Sequence, residues 1–282
     1  MPSPAITVEN LEKYFPPALS GWRAFVQPMA QSTQRALAGV SFAVAPGEAV
    51  ALVGANGAGK STLLRILATL VLPTRGSATL GGYDVERDAA KARSCLGYHT
   101  GGDEGFYGRL TGRANLLFFA AMNNIDGAAA RERIAAVAGS LEIAGDLDRQ
   151  VRTYSTGMTH RLGLARALLH RPSVLLLDKP TRSLDPLAAA DFRRLLKDEI
   201  IRRQGSTLLF ASHTPPEVEQ VADRVVLLDG GKVIACDSPA GLRASTGAAT
   251  LSEAIEGLMR GAIPPGSLTP GVRRAHWGEV GR

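Results

Sequence analysis

The sequence predicts an α/β fold: a mainly parallel core sheet with helices on its faces and an antiparallel β part at the N-terminus. Three observations predict it. Residues 49–53, 174–177 and 207–211 are apolar runs, as expected of strands covered on both faces. Leucine-rich helical stripes lie between them, one through Leu63, Leu64, Ile66, Leu67 and Leu70, another through Leu162, Leu164, Leu168 and Leu169. Pro73 and Pro172 stop these two stripes, so strands and helices alternate along the chain, the pattern of a parallel sheet.

In chain order, Ile6 and Val8 alternate with polar neighbours, and Val40, Phe42 and Val44 do so again before the turn at Pro46-Gly47. The run 49–53 follows that turn. Residues from about 99 to 153 break the pattern: they hold helical segments at 114–122 and 128–138 with no strand, and read as an all-helical subdomain inserted in the α/β domain. Near the end, residues 225–228 and 233–235 flank Gly230-Gly231 as a hairpin. Residues 16–35, with Trp22, Phe25 and Val26, separate the first two strands. They either touch a membrane or partner or cover the edge of the domain. The reading is one domain over 1–243 and an extension over 244–282, its end beyond Gly261 rich in Pro, Gly and Arg as mobile tails are.

Composition narrows the class. The 282 residues are 45% hydrophobic and 21% charged, which excludes wholesale disorder and fibrous repeats. No apolar run approaches the ~18 residues of a membrane span. The start, neither basic nor apolar, reads as no signal peptide. Two cysteines, Cys95 and Cys236, indicate a reducing compartment rather than a disulfide or zinc scaffold. The net charge of +6 is spread along the chain, and no nucleic-acid partner is expected from it.

The strongest motif runs from Gly54 through Asn56, Gly57, Ala58, Gly59, Lys60, Ser61 and Thr62, a G-x-x-x-x-G-K-S loop between a buried strand and a helix. Such a loop turns backbone amides and a helix N-terminus toward a phosphate chain. Lys60 would reach the β- and γ-phosphates and the Ser61 hydroxyl would bind Mg²⁺. Asp178 ends the run 174–177, where a carboxylate can hold Mg²⁺ beside the loop. The two features together indicate a P-loop nucleotide hydrolase or kinase.

Three further segments choose between these. Tyr154-Ser155-Thr156-Gly157-Met158 precedes a helix, Ser183-Leu184-Asp185-Pro186 follows Asp178, and His213 follows the run 207–211. At these residues the chain resembles the ATP-binding subunit of an ABC transporter, over about residues 5–243, and 105–120 resembles exporter subunits that serve separate ABC-2-like permeases. A kinase has no place for these segments. The resemblance implies ATP and Mg²⁺ as ligands and an integral membrane permease and a second nucleotide-binding subunit as partners, in a homodimer or heterodimer. It also implies a cytoplasmic location on the inner face of the membrane. Ser155 and Gly157 would touch the nucleotide held by the partner's loop, Asp185 would lie in the D-loop, and His213 would be the switch histidine. Phe15, or Tyr14 next to it, would stack on adenine.

The sequence departs from this family at three places, one of them the insertion 16–35, whose Trp22, Phe25 and Val26 would touch the membrane or permease or cover the nucleotide edge. Lys179 stands where a glutamate usually polarises the attacking water, and a lysine protonated at neutral pH has no lone pair to offer. Slow hydrolysis with firm ATP binding is expected, unless His213 or a neighbouring carboxylate suffices. A catalytically degenerate regulatory module, or the inactive half of a heterodimer, is the alternative. Gly101 stands where a glutamine is usual, with Asp103 and Glu104 following as replacements or as solvated loop charges. Thr111 reads as a helix cap, and the apolar face after it suits a permease or the domain interior.

Overall fold

The computed structural model describes residues 3–16, 34–101 and 105–261. Strand β1 (Ile6–Phe15) pairs antiparallel with β2 (Gln34–Val44), with Ile6 opposite Val44 and Phe15 opposite Gln34. Strand β3 (Ala49–Val53) leads into helix α1 (Lys60–Leu67), and β4 (Arg75–Leu80) and β5 (Tyr83–Asp84) return to β1 to complete a sheet of order β2-β1-β4-β5. Helix α2 (Ala89–Ser94) and strand β6 (Leu96–Thr100) come next, then the helical insertion of α3 (Gly112–Met122) and α4 (Gly127–Ser140). Helix α5 (Thr156–Leu168), β7 (Val174–Asp178), α6 (Pro186–Leu195), β8 (Thr207–Ala211), α7 (Pro215–Val221), β9 (Arg224–Asp229) and β10 (Lys232–Asp237) follow, and α8 (Pro239–Thr246) and α9 (Leu251–Met259) close the described chain.

The second sheet has the order β10-β9-β3-β8-β7-β6, parallel from β9 to β6 with β10 antiparallel at the edge. All five residues of β3 are buried, because each face of the sheet has its own core. Ala49, Ala51 and Val53 join Leu162, Leu164, Leu177 and Phe210 in a core shared with the inserted helices. Val50 and Leu52 join Ile6, Leu37, Leu63 and Ile66 in a core shared with α1 and the antiparallel sheet. Burying one such Leu or Ile stabilises by roughly 1.5–3 kcal/mol, so the strand feeding the loop is gripped from both sides.

The expected mixture of parallel and antiparallel sheets is present, and Thr111 caps α3 by accepting a hydrogen bond from the Ala114 amide at 3.1 Å. One expectation needs correction. The stretch read as strandless from about residue 99 starts inside β6, which pairs His99 with Leu177 and Thr100 with Asp178. Its sequence, LGYHT, has neither an apolar run nor alternation, and it is a strand because β7 offers it an edge and a buried face. Strands β4 and β5 and helix α2 were likewise not anticipated. Within the extension, a capping box at Thr250 and Glu253 starts α9, whose Leu251, Ala254 and Ile255 are buried. Trp22, Phe25, Val26, Asp103, Glu104 and the tail beyond Gly261 lie outside the described residues.

Candidate functional site

The loop Gly54–Gly59 leaves β3 at the C-terminal edge of the parallel strands, the side of an open α/β sheet where ligands bind. Its last residue, Gly59, is left-handed (φ 102°), and a Cβ there would lie 2.5 Å from the Ala36 carbonyl oxygen of β2. Only glycine allows the loop to sit this close to β2. Helix α1 starts immediately after it with no acidic residue in its first turn, so its N-terminal amides offer an unopposed positive end. Lys60 is 5% exposed and its ammonium donates to the carbonyls of Gly54 at 2.6 Å and Ala55 at 2.8 Å. Burial, then the neighbouring Lys179, push its pKa below the ordinary lysine value, and Asp178 opposes them.

A cavity of about 270 Å³ opens on this loop. It gathers Asn56, Gly57, Gly59, Lys60, Ser61 and Thr62 from the motif, Phe15 from the end of β1, Gln34, Arg35 and Ala36 from the start of β2, and Lys179. Phe15 lies in the lining, with the Lys13 ammonium 5.0 Å from its ring centre, whereas Tyr14 bonds to Glu12 at 3.1 Å and is not part of it. Ala58 is buried within the loop. Among the described residues the lining carries three cationic side chains, Arg35, Lys60 and Lys179, and no carboxylate. A larger cleft, about 740 Å³ between α4 and the segment after α6, contains none of the motif residues.

Strand β7 delivers Asp178, whose Oδ1 is buried without a partner among the described residues. The chain then turns sharply. Lys179 is left-handed (φ 54°), its amide donating to Ala211 at 3.0 Å and its carbonyl accepting from Arg182 at 3.1 Å. The turn runs so close to β6 that a Cβ on Gly101 would fall 2.1 Å from the Lys179 carbonyl oxygen. His213 is exposed and lines a separate pocket of about 150 Å³ with Gly54, Ala55 and residues of α9.

Ser155, Gly157 and Asp185 are not in the lining of the loop cavity. Ser155 is the exposed N-cap of α5, accepting from the Met158 amide at 3.2 Å, with Gly157 in the first turn. Asp185 caps α6, one carboxylate oxygen accepting from the Leu187 and Ala188 amides at 3.0 and 2.9 Å, beside Leu187, which is 74% exposed.

Sequence reasoning missed Gln34, Arg35 and Ala36, which no motif marks. It also missed two buried groups beneath the site. His160 on α5 contacts the carbonyl of Pro180 at 2.8 Å. Glu217, 1% exposed at the start of α7, accepts from the hydroxyl of Ser212, the residue before His213, and burial raises its pKa. A glutamate behind Pro215-Pro216 in the first turn of a helix is a signal only for capping.

Residues 37–182, more than half of the chain, match the family model described as ABC transporter. The chain belongs to the ABC transporter family. Its relatives there are ATP-binding proteins. It is 34% identical over 200 residues to the ABC transporter ATP-binding protein NatA of Bacillus subtilis, covering 71% of this chain and 80% of NatA. To the daunorubicin resistance ATP-binding protein DrrA3 of Streptomyces coeruleorubidus it is 35% identical over 250 residues, covering 88% and 72%. The match to the B. subtilis ABC transporter ATP-binding protein YdbJ is 40% identical and spans 61% of that protein's length. Among solved structures, an ATP-binding subunit of an ABC transporter superimposes with a TM-score of 0.72 at 25% identity, over 90% of this chain and 99% of that one. The fold is also that of cbiO1 from Clostridium perfringens, with a TM-score of 0.74 at 24% identity over 86% and 92% of the two chains. As an ABC transporter ATP-binding protein, the chain carries its P-loop between β3 and α1. Among its described residues no helix is long and apolar enough to cross a membrane.

Proposed function

We propose that this ATP-binding subunit holds Mg-ATP in the cavity on the P-loop, hydrolyses it slowly and drives export through a separate integral membrane permease. The lining of that cavity carries the reading: three cations and no carboxylate among the described residues. Such a wall suits a triphosphate and, among the described residues, offers no carboxylate base for water. Losing a general base costs about 10²- to 10⁴-fold in rate. Lys179 reinforces phosphate binding and leaves activation of water to a weaker agent, for which His213, in a separate pocket with Gly54 and Ala55, is the candidate.

The donor set fits Mg²⁺. Asp178 offers a buried carboxylate oxygen with no partner among the described residues, and Ser61 lines the cavity. Bound between them, the ion would offset phosphate charge. Phe15, the last residue of β1, lines the cavity, where its ring would meet the base.

Pairing with a second nucleotide-binding subunit is supported by the exposed Ser155 cap and the exposed Leu187, both outside the chain's own cavity. Docking on a permease is supported by exposed apolar residues on the insertion. Tyr107 packs edge-on against Phe118 at 5.4 Å, and Phe118 and Met122, one turn apart on α3, are 42% and 66% exposed. Export is supported by likeness to a daunorubicin resistance ATP-binding protein. With such partners the chain would work at the cytoplasmic face of the membrane.

A second reading, an ATP-binding regulatory module or the inactive half of a heterodimer, draws on the same carboxylate-free lining. ATP binding and turnover by the purified chain, beside Lys60→Ala, decide the matter. We expect firm binding, turnover below about 0.1 s⁻¹ against the usual 1–10³ s⁻¹ of enzymes, and at least tenfold weaker binding in Lys60→Ala. Binding untouched by Lys60→Ala removes the site. Complete silence, even with a permease present, favours the second reading.

A further inference from the structure

The turn after β7 is held against its own preferences. Lys179 and Ser183, neither a glycine, both adopt left-handed backbone, at φ 54° and 67°. Such residues persist only where the surroundings over-determine them. Backbone bonds account for part of the hold: Lys179 to Ala211 at 3.0 Å, Arg182 to Lys179 at 3.1 Å and Leu184 to Thr181 at 3.2 Å. The buried Pro180 lies between them, and its carbonyl takes a bond from a different element. His160, 1% exposed on α5, places Nδ1 2.8 Å from that oxygen. A carbonyl only accepts, so Nδ1 carries the proton and the tautomer is fixed. The ring itself is wedged by Phe192 of α6 edge-on at 6.0 Å and by His99 of β6 edge-on at 5.7 Å.

We propose that His160 is a positioning residue for the nucleotide site: its Nδ1–H holds the Pro180 carbonyl and thereby fixes the left-handed turn that brings Lys179 to the phosphate cavity. The proposal rests on the reading of that cavity as the ATP site. It gives α5 two jobs. The end capped by Ser155 is offered to a second subunit, and little more than a turn later the same helix grips the turn that meets the chain's own nucleotide. One hydrogen bond therefore joins the two.

The test uses the full chain as wild type, His160→Leu, His160→Gln, Lys179→Met and the double variant His160→Leu/Lys179→Met. Mg-ATP affinity and hydrogen exchange of the backbone amides of 179–185 and 54–61, the latter without nucleotide, are measured on each. His160→Leu is expected to weaken ATP about fivefold and to speed exchange at 179–185 about tenfold, with 54–61 unchanged. His160→Gln keeps a donor and stays within about twofold of wild type on both. In the Lys179→Met background the leucine costs less than about twofold, because the side chain it would misplace is gone. Equal weakening in both backgrounds, or exchange that rises everywhere or nowhere, overturns the proposal. Should His160→Leu not fold, His160→Met carries the same comparison. ATP binding that ignores Lys60→Ala sinks the cavity reading instead, and the exchange data then judge His160 alone.

Discussion

The two loops that meet at the proposed nucleotide cavity, Gly54–Gly59 before α1 and the turn from Lys179 to Asp185 after β7, solve different problems with different means. The first uses glycine wherever φ is positive, at Gly54, Gly57 and Gly59, and closes against β2 with no strained side chain. The second puts Lys179 and Ser183 in the same region of backbone space and needs neighbours on β8 and α5 to keep them there. On the proposed reading, most of the phosphate-binding geometry is carried by a local piece of chain, and what Lys179 adds depends on a turn held from outside. Under that reading the two contributions can be lost separately: the first loop can stay intact while the second is disturbed.

The contrast is sharpened most by Lys179→Glu. It puts a carboxylate beside the cavity and should raise ATP turnover by about 10²-fold or more while weakening ATP binding, read by steady-state phosphate release and equilibrium binding. A rate that does not move would show that the turn, and not its side chain, limits the chemistry. Next in size is Gly101→Ala. Its new methyl would meet the Lys179 carbonyl at 2.1 Å, so the substitution should cost about 2 kcal/mol in urea unfolding and disturb ATP turnover more than ATP affinity. An equal loss of both would mean that the loops are not separable. The smallest effect concerns acid. Burial first, then His160 and Arg166, lower the pKa of His99 from 6.5 to about 3. Below pH 6.5 the unfolded chain takes a proton that the folded chain refuses until about pH 3, so stability falls as the pH drops through that window and is untouched above it. The loss between pH 6.5 and 5 should be roughly 1.5 kcal/mol in urea unfolding, and His99→Leu should flatten the slope by that amount.

The first loop was legible in the sequence because glycine spacing, a buried strand and a helix start are all local, and β3, β7 and β8 announced themselves as apolar runs. The second was legible only as a departure. Lys179 could be seen to stand in an odd place, but not that its backbone is left-handed or that Gly101 must be small to let it pass. His99 and His160 are polar residues in ordinary local settings, and their burial against each other is set by the meeting of β6 and α5, more than fifty residues apart along the chain. Strand β6 itself stayed hidden for that reason. Gln34 and Arg35 reach the cavity through the pairing of β2 with β1, which no window of sequence contains.

That pairing has a practical side. Phe15 faces Gln34 and Tyr14 faces Arg35 across the last rungs of the ladder, so the register next to the cavity is set by the strands themselves. The cost of closing a connection grows only slowly with its length, about 0.6 kcal/mol per doubling. A change in the length of the connection between Pro16 and Gln34 should therefore cost little in closure, with the register of Phe15 against Gln34 as the readout.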